Sequence, residues 1–297
     1  MTLFNTLLLR EWLQHKWAWI GIVLAPILLM LVLVPISQVE GINVPSPEPV
    51  ALIAGLMTAG LVMVLALSVS GYQLLGLARR DQQDRSIEFW SSLPGSHAAA
   101  LGAPILAHGV LMPIVAIVLG IAGGAVVGTA MAFKEFGVAA LHQTQWSALI
   151  QAAVWLAVRT SVGVVMASLW IAPIALALMA ASAWLKRWGA PLLVVLVGGF
   201  LKIYKDTPIA DAIVHTLKVQ MDGVASAWIQ SGTRMIMTND DGLDMQDFFN
   251  TLFAFPDYAR DGLPQVFQAA LEPQFFGGLV VAGLCFWLLV LQRKRSL

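Results

Sequence analysis

From Trp17 to Ile36 the chain runs for twenty residues without one charged side chain. Equally uncharged stretches return from Val50 to Leu77 and from Leu101 to Ala132. About 20 apolar residues in a helix cover the roughly 30 Å hydrocarbon core of a bilayer. Backbone in that core must bond within its own segment, which leaves helices as the solution for runs of this kind. Composition agrees. Hydrophobic residues make up 59% of the 297 and Asp, Glu, Lys and Arg only 11%, against about 25% charged residues in a soluble domain. So few polar groups cannot coat a water-facing surface. A cytosolic enzyme, a nucleic-acid binder and a disulfide-framed secreted module are thereby ruled out. Lys+Arg number 17 and Asp+Glu number 17, so no whole-chain charge selects a polyanionic partner.

Residues 1–16 read as an amphipathic interface helix, with Leu3, Leu7 and Leu8 near one face and Arg10, Glu11, Gln14 and Lys16 elsewhere. The apolar run that follows exceeds the roughly 7–15 residues of a secretory signal core, and no small-x-small cleavage pattern follows it. It reads as a retained anchor. Residues 17–204 are expected to hold five transmembrane helices, interrupted by a charged connection at 78–100. Trp146 to Ala183 is too long for one straight crossing at 1.5 Å per residue. Arg159 divides it into an expected interfacial helix and a fourth span from Thr160 to Trp184. The fifth span, Trp188 to Tyr204, is short and Gly-rich, with Lys202 snorkelling at its end. Residues 205–273 form an extracytoplasmic region in which Ile209, Ile213, Leu217, Met221, Val224 and Trp228 recur at helical spacing. Residues 274–297 supply a sixth span and a basic tail, Arg293, Lys294 and Arg295. The fold expected is all-α: a polytopic integral membrane protein with six transmembrane helices and a large extracytoplasmic loop before the last. Putting both termini, 78–100 and Lys186/Arg187 in the cytoplasm places ten of the 17 basic residues inside, which satisfies the positive-inside rule.

Motifs for chemistry are scarce. There is no G-x-x-x-x-G-K-[ST] loop, no G-x-G-x-x-G after a strand, no H-E-x-x-H and no G-x-S-x-G. No Cys/His cluster has metal-site spacing, and the single cysteine, Cys285, reads as a packed core thiol. Arg159, near the outer interface, reads as snorkelling to headgroups, with substrate contact the rival. Asn239, Asp240, Asp241, Gly242, Asp244 and Asp247 suggest a calcium loop, but the twelfth position from Met237 is Phe248, where an acid is required. A solvated acidic loop fits better. Gly120, Gly124 and Gly128 lie four apart on one helical face and let another backbone approach closely, either within the chain or from a second copy.

The most informative segment is Arg79 to His97, RRDQQDRSIEFWSSLPGSH. It begins with mixed charge, turns apolar at Ile87, Phe89, Trp90 and Leu93, and breaks at Pro94-Gly95. Apolar side chains grouped among charges mark a docking surface; the alternative is an amphipathic helix resting on lipid. The stretch D-x-x-D-R-S-I-E-F-W-S-S-L-P-G-S, from Asp81 to Ser96, resembles the permease subunits of ATP-binding-cassette transporters of the second export type. Those carry a similar "D-x-[ST]-I-x-F-W-x-S-L-P-[VG]-S" stretch between their second and third spans. About 16 residues are motif-specific; the N-terminal helix, span count and outer loop extend the likeness along the chain.

The resemblance implies a coupling helix that docks on a separate ATPase subunit, with Asp84, Ser86, Ile87, Glu88, Phe89, Trp90, Ser92, Leu93 and Pro94 as coupling positions. It further implies a second permease copy, membrane lipid around both, and the bacterial cytoplasmic (inner) membrane as the location. No catalytic residue, metal or cofactor is expected in this chain; ATP and Mg2+ belong to the partner ATPase. The competing expectation is a self-sufficient secondary carrier or channel. Against it stand the lack of paired intramembrane carboxylates and of an evident inverted repeat.

Overall fold

The computed structural model describes residues 3–37, 46–83, 96–185, 188–228 and 254–295. Of these residues 92% are helical and none is in a strand. The helices are α1 (Leu3–Leu33), α2 (Pro47–Gln83), α3 (His97–Leu106), a π-helical turn (Ala107–Leu111), α4 (Met112–Phe136) and α5 (Ala139–Gln143). Then follow α6 (Trp146–Leu185), α7 (Gly189–Ile203), α8 (Pro208–Trp228), α9 (Phe255–Ala269) and α10 (Pro273–Arg295). Five stretches are long and apolar enough to cross a membrane: Phe4–Leu33, Pro47–Leu77, His97–Phe136, Trp146–Leu185 and Pro273–Arg295. That is the character of a multi-pass membrane protein. Around them Leu28, Val32, Val64, Val126, Val280 and Leu284 stand exposed, a surface suited to lipid tails.

Two expected boundaries are absent. The amphipathic N-terminal segment and the first apolar run are one unbroken helix, α1. Nothing between Lys16 and Trp17 stops it: neither Gly nor Pro intervenes, and backbone hydrogen bonding ignores the change in side-chain polarity. Likewise α6 continues through Arg159 for 40 residues, about 60 Å at 1.5 Å per residue. The short helix α7, with 15 residues, measures about 22 Å and is not among the five long apolar helices.

The first four long helices alternate in direction. Ile27 of α1 lies beside Gly123 of α4, Val62 of α2 beside Gly120, and Val164 of α6 clusters with Ile117 and Ile121. At one end of this bundle Leu77, Leu101, Met179, Ala180, Ala183 and Leu289 form a cluster that ties α2, α3, α6 and α10 together. Arg295 stacks over the Trp184 ring there, 5.4 Å from its centroid. Because α1 runs parallel to α3 and α4, its N-terminus points to the same end, so both chain ends share it. At the other end Ala51, Ala132 and Ala140 pack with Phe136 and Leu149. There the buried Glu48 carboxylate accepts the Gln145 N–H at 2.9 Å, satisfying one of the donors left open where α6 begins.

Helix α8 lies against α6 and α10 by its small residues rather than by the whole expected apolar stripe. Ala210, Gln220, Gly223 and Ala227 are buried, whereas Ile209 and Met221 are exposed. The reason is close approach. A Cβ on Gly223 would fall on the Trp170 ring, and one on Gly163 would lie 3.1 Å from the Ala227 oxygen. The same crossing brings Trp170 and Phe275 edge to face at 5.0 Å.

Candidate functional site

The π-helical turn begins with a missing donor. Pro113 has no N–H, and the Met112 N–H reaches back five residues to the Ala107 oxygen, so the carbonyls of His108 and Gly109 lose their helical partners. Two serines from neighbouring helices replace them. Ser70 on α2 donates to the His108 oxygen, and Ser168 on α6 donates to the Gly109 oxygen at 3.0 Å. An orphaned carbonyl away from water costs about 1–3 kcal/mol, which sets the scale of what these hydroxyls offset. Single π-turns inside α-helices recur at functional positions.

The His108 side chain points at α1. Its Nε2 lies 3.3 Å from Glu11 Oε2, and both side chains are shut off from solvent. Arg10 Nε and Nη2 both donate to the other carboxylate oxygen, Oε1. His15, one helical turn on from Glu11, places Nδ1 3.9 Å from Oε2 and 3.1 Å from the Glu11 carbonyl oxygen. The His15 and His108 rings meet edge to face, with centroids 4.6 Å apart. Burying a carboxylate is tolerable only when it is paired and hydrogen-bonded, and here a guanidinium and an imidazole do that. Three helices therefore converge on one turn: α1 through Glu11, α2 through Ser70 and α6 through Ser168.

Sequence reasoning passed over this group. It placed Glu11 on the polar side of an interface helix and gave His108 no part. Two signals were present: the E-x-x-x-H spacing of Glu11 and His15, which share a helix face, and Pro113 inside an apolar helical run.

Of the expected site residues, Asp84, Ser86, Ile87, Glu88, Phe89, Trp90, Ser92, Leu93 and Pro94 lie outside the described residues. The structure describes their flanks: α2 is described as far as Gln83, and Ser96 caps α3 by accepting the Ala99 N–H at 3.1 Å. Gly120, Gly124 and Gly128 pack against α2 of the same chain. A Cβ at Gly120 would lie 2.7 Å from Val62 Cγ1, while at Gly124 and Gly128 it would fall on the carbonyls of Gly55 and Ala51. Arg159 differs from its expected snorkelling. It is 8% exposed, and Nη1 donates to the Ala227 oxygen near the end of α8. A buried cation has to be hydrogen-bonded, and a backbone carbonyl serves here. The acidic segment 239–247 lies outside the described residues.

Next to the glycine seam, α2, α4 and α6 leave a cleft of about 660 Å³ lined by apolar groups, among them Leu52, Leu56, Ile121, Phe133, Trp146 and Leu156. Nothing in that lining ionises. Compared with known protein families, with curated proteins and with solved structures, the chain matches none.

Proposed function

We propose that this chain is the permease subunit of an ATP-binding-cassette exporter of the second type, working in the bacterial cytoplasmic membrane with a second copy of itself. ATP and Mg2+ are handled by a separate ATPase subunit, and this chain supplies no catalytic residue. The observation that carries the reading is the Asp81–Ser96 segment, with its Phe89, Trp90 and Leu93 among charges, between α2 and α3. Two features of the fold support it. Helix α2 spans 37 residues, about 55 Å, well beyond a hydrocarbon core of roughly 30 Å, a length that suits a connection held clear of lipid. Both chain ends also lie at one end of the bundle, which suits an even number of crossings, and in this reading that end is cytoplasmic. The apolar cleft suits a lipid-like or other apolar cargo.

In this mechanism the ATPase closes on the Asp84–Pro94 segment and thereby shifts the population of two permease conformations. Asp84 and Glu88, four apart, set register against basic groups of the partner. Losing a central aromatic anchor costs about 2–4 kcal/mol, a roughly 30- to 1,000-fold weaker complex. Trp90→Ala and Phe89→Ala are therefore expected to abolish co-purification of the ATPase and transport together, while the permease inserts normally. Undiminished capture by both variants, or no ATPase on the wild-type chain from its native membrane, overturns the reading. A proton-coupled carrier is the second reading, favoured by the buried Glu11–His108 pair, since intramembrane ionisable groups mark proton pathways. Transport that follows an imposed pH gradient without ATPase would select it.

A further inference from the structure

We infer that Glu11, His15 and His108 form a binding site for a first-row divalent metal ion of the zinc or cobalt class, clamping α1 to the π-turn. The inference is independent of the transport reading. One carboxylate and two imidazoles converge, and their ligand atoms all lie within 4.8 Å of one another. Bonds of about 2.0–2.1 Å at tetrahedral angles put ligand atoms roughly 3.3–3.4 Å apart. Glu11 Oε2 and His108 Nε2 already stand at 3.3 Å. His15 Nδ1 is 3.9 Å from the same oxygen and 3.1 Å from the Glu11 carbonyl; its side chain is 23% exposed, and to ligate it gives up that carbonyl and turns toward Oε2. The two ligands that cannot move are at the right spacing; the one that must move sits at the edge.

Donor chemistry selects the ion. Imidazole suits zinc, cobalt, nickel and iron, whereas calcium and magnesium take oxygen ligands. Three protein ligands leave one position for water, and the partly exposed His15 and Arg10 mark the route by which ion and water arrive. Arg10, donating to Oε1, holds the carboxylate in orientation, the outer-shell contact that such ligands need. His108 Nδ1 has no partner among the described residues. A metal-bound imidazole ordinarily donates that proton, so the affinity is expected to fall roughly 10- to 100-fold below that of a site with both outer contacts.

The test uses the full-length, tag-free chain in detergent, stripped with chelator and titrated with Co2+ while its visible absorption is recorded. Expected is one Co2+ per chain, with absorption typical of four-coordinate nitrogen and oxygen ligation, displaced by Zn2+. His15→Ala and His108→Gln are each expected to weaken binding roughly 100-fold, while His142→Ala leaves it unchanged. His15 is peripheral, so His15→Ala keeps its thermal unfolding profile and decides the matter even where His108→Gln fails to fold. Absence of Co2+ binding by the wild type, or wild-type binding by folded His15→Ala, overturns the proposal and leaves a hydrogen-bonded latch only.

Discussion

Two of the contacts made by the helix run from His97 to Phe136 are built in opposite ways. From Gly120 to Gly128 the run meets α2 backbone against side chain and backbone, with no charge and no side-chain hydrogen bond. At His108 it meets α1, α2 and α6 through a carboxylate, an imidazole and two hydroxyls. Gly120 follows His108 by twelve residues, about 18 Å along the axis. Lipid tails are as apolar as leucine, so apolar burial alone gives helices no reason to associate in a membrane. They need either close approach or polar satisfaction. One contact uses each remedy. The seam is steric, whereas the hub is polar. The two contacts thus pair a fixed seam of helices with a polar joint.

The comparison is broken most severely at the seam. Gly124→Leu drives a side chain into the Gly55 carbonyl, and overpacking of this sort is expected to cost about 3 kcal/mol. Folded yield and thermal midpoint in nanodiscs should both fall; a normal midpoint would show that α2 and α4 are not in close contact. The hub should yield less to any single change. Ser70→Ala and Ser168→Ala each strand one carbonyl of the π-turn, at roughly 1 kcal/mol apiece. The hydroxyls serve different carbonyls, so the two losses should add in a double-mutant cycle of thermal unfolding. Strong coupling would mean that the turn collapses as a unit. The smallest effect sharpens the contrast. A Cβ at Gly60 would meet nothing within 4 Å, so Gly60→Ala is expected to be neutral or to stabilise α2 by up to about 1 kcal/mol. A loss there would mean that Gly60 faces a partner outside this chain.

Helix content and the long crossings were legible because apolar length is a local property. The glycine face was legible too, since its spacing of four fixes one side of a helix, although only the fold names α2 as the neighbour. Breaks were harder to read. Arg159 looks like a divider because a charge inside an apolar run is costly on its own; the Ala227 carbonyl that receives it lies 68 residues away. Glu11 and His108, 97 residues apart, were hidden for the same reason. Each looks like an ordinary polar residue until a second helix arrives. Pro113 announced a fault in the helix, but not which carbonyls would be stranded or who would rescue them.

A π-turn holds one residue more than the α-helix it interrupts. Were that extra residue released, everything before it would swing by about 100° around the axis and slide by about 1.5 Å, the step of a single residue. The part that would swing is α3; the part that would stay is α4, pinned at its glycines. Ser70, Ser168 and the Glu11–His108 contact thus sit where a detent sits on a swivel. They fix the angle of a lever whose far end lies at the head of α3.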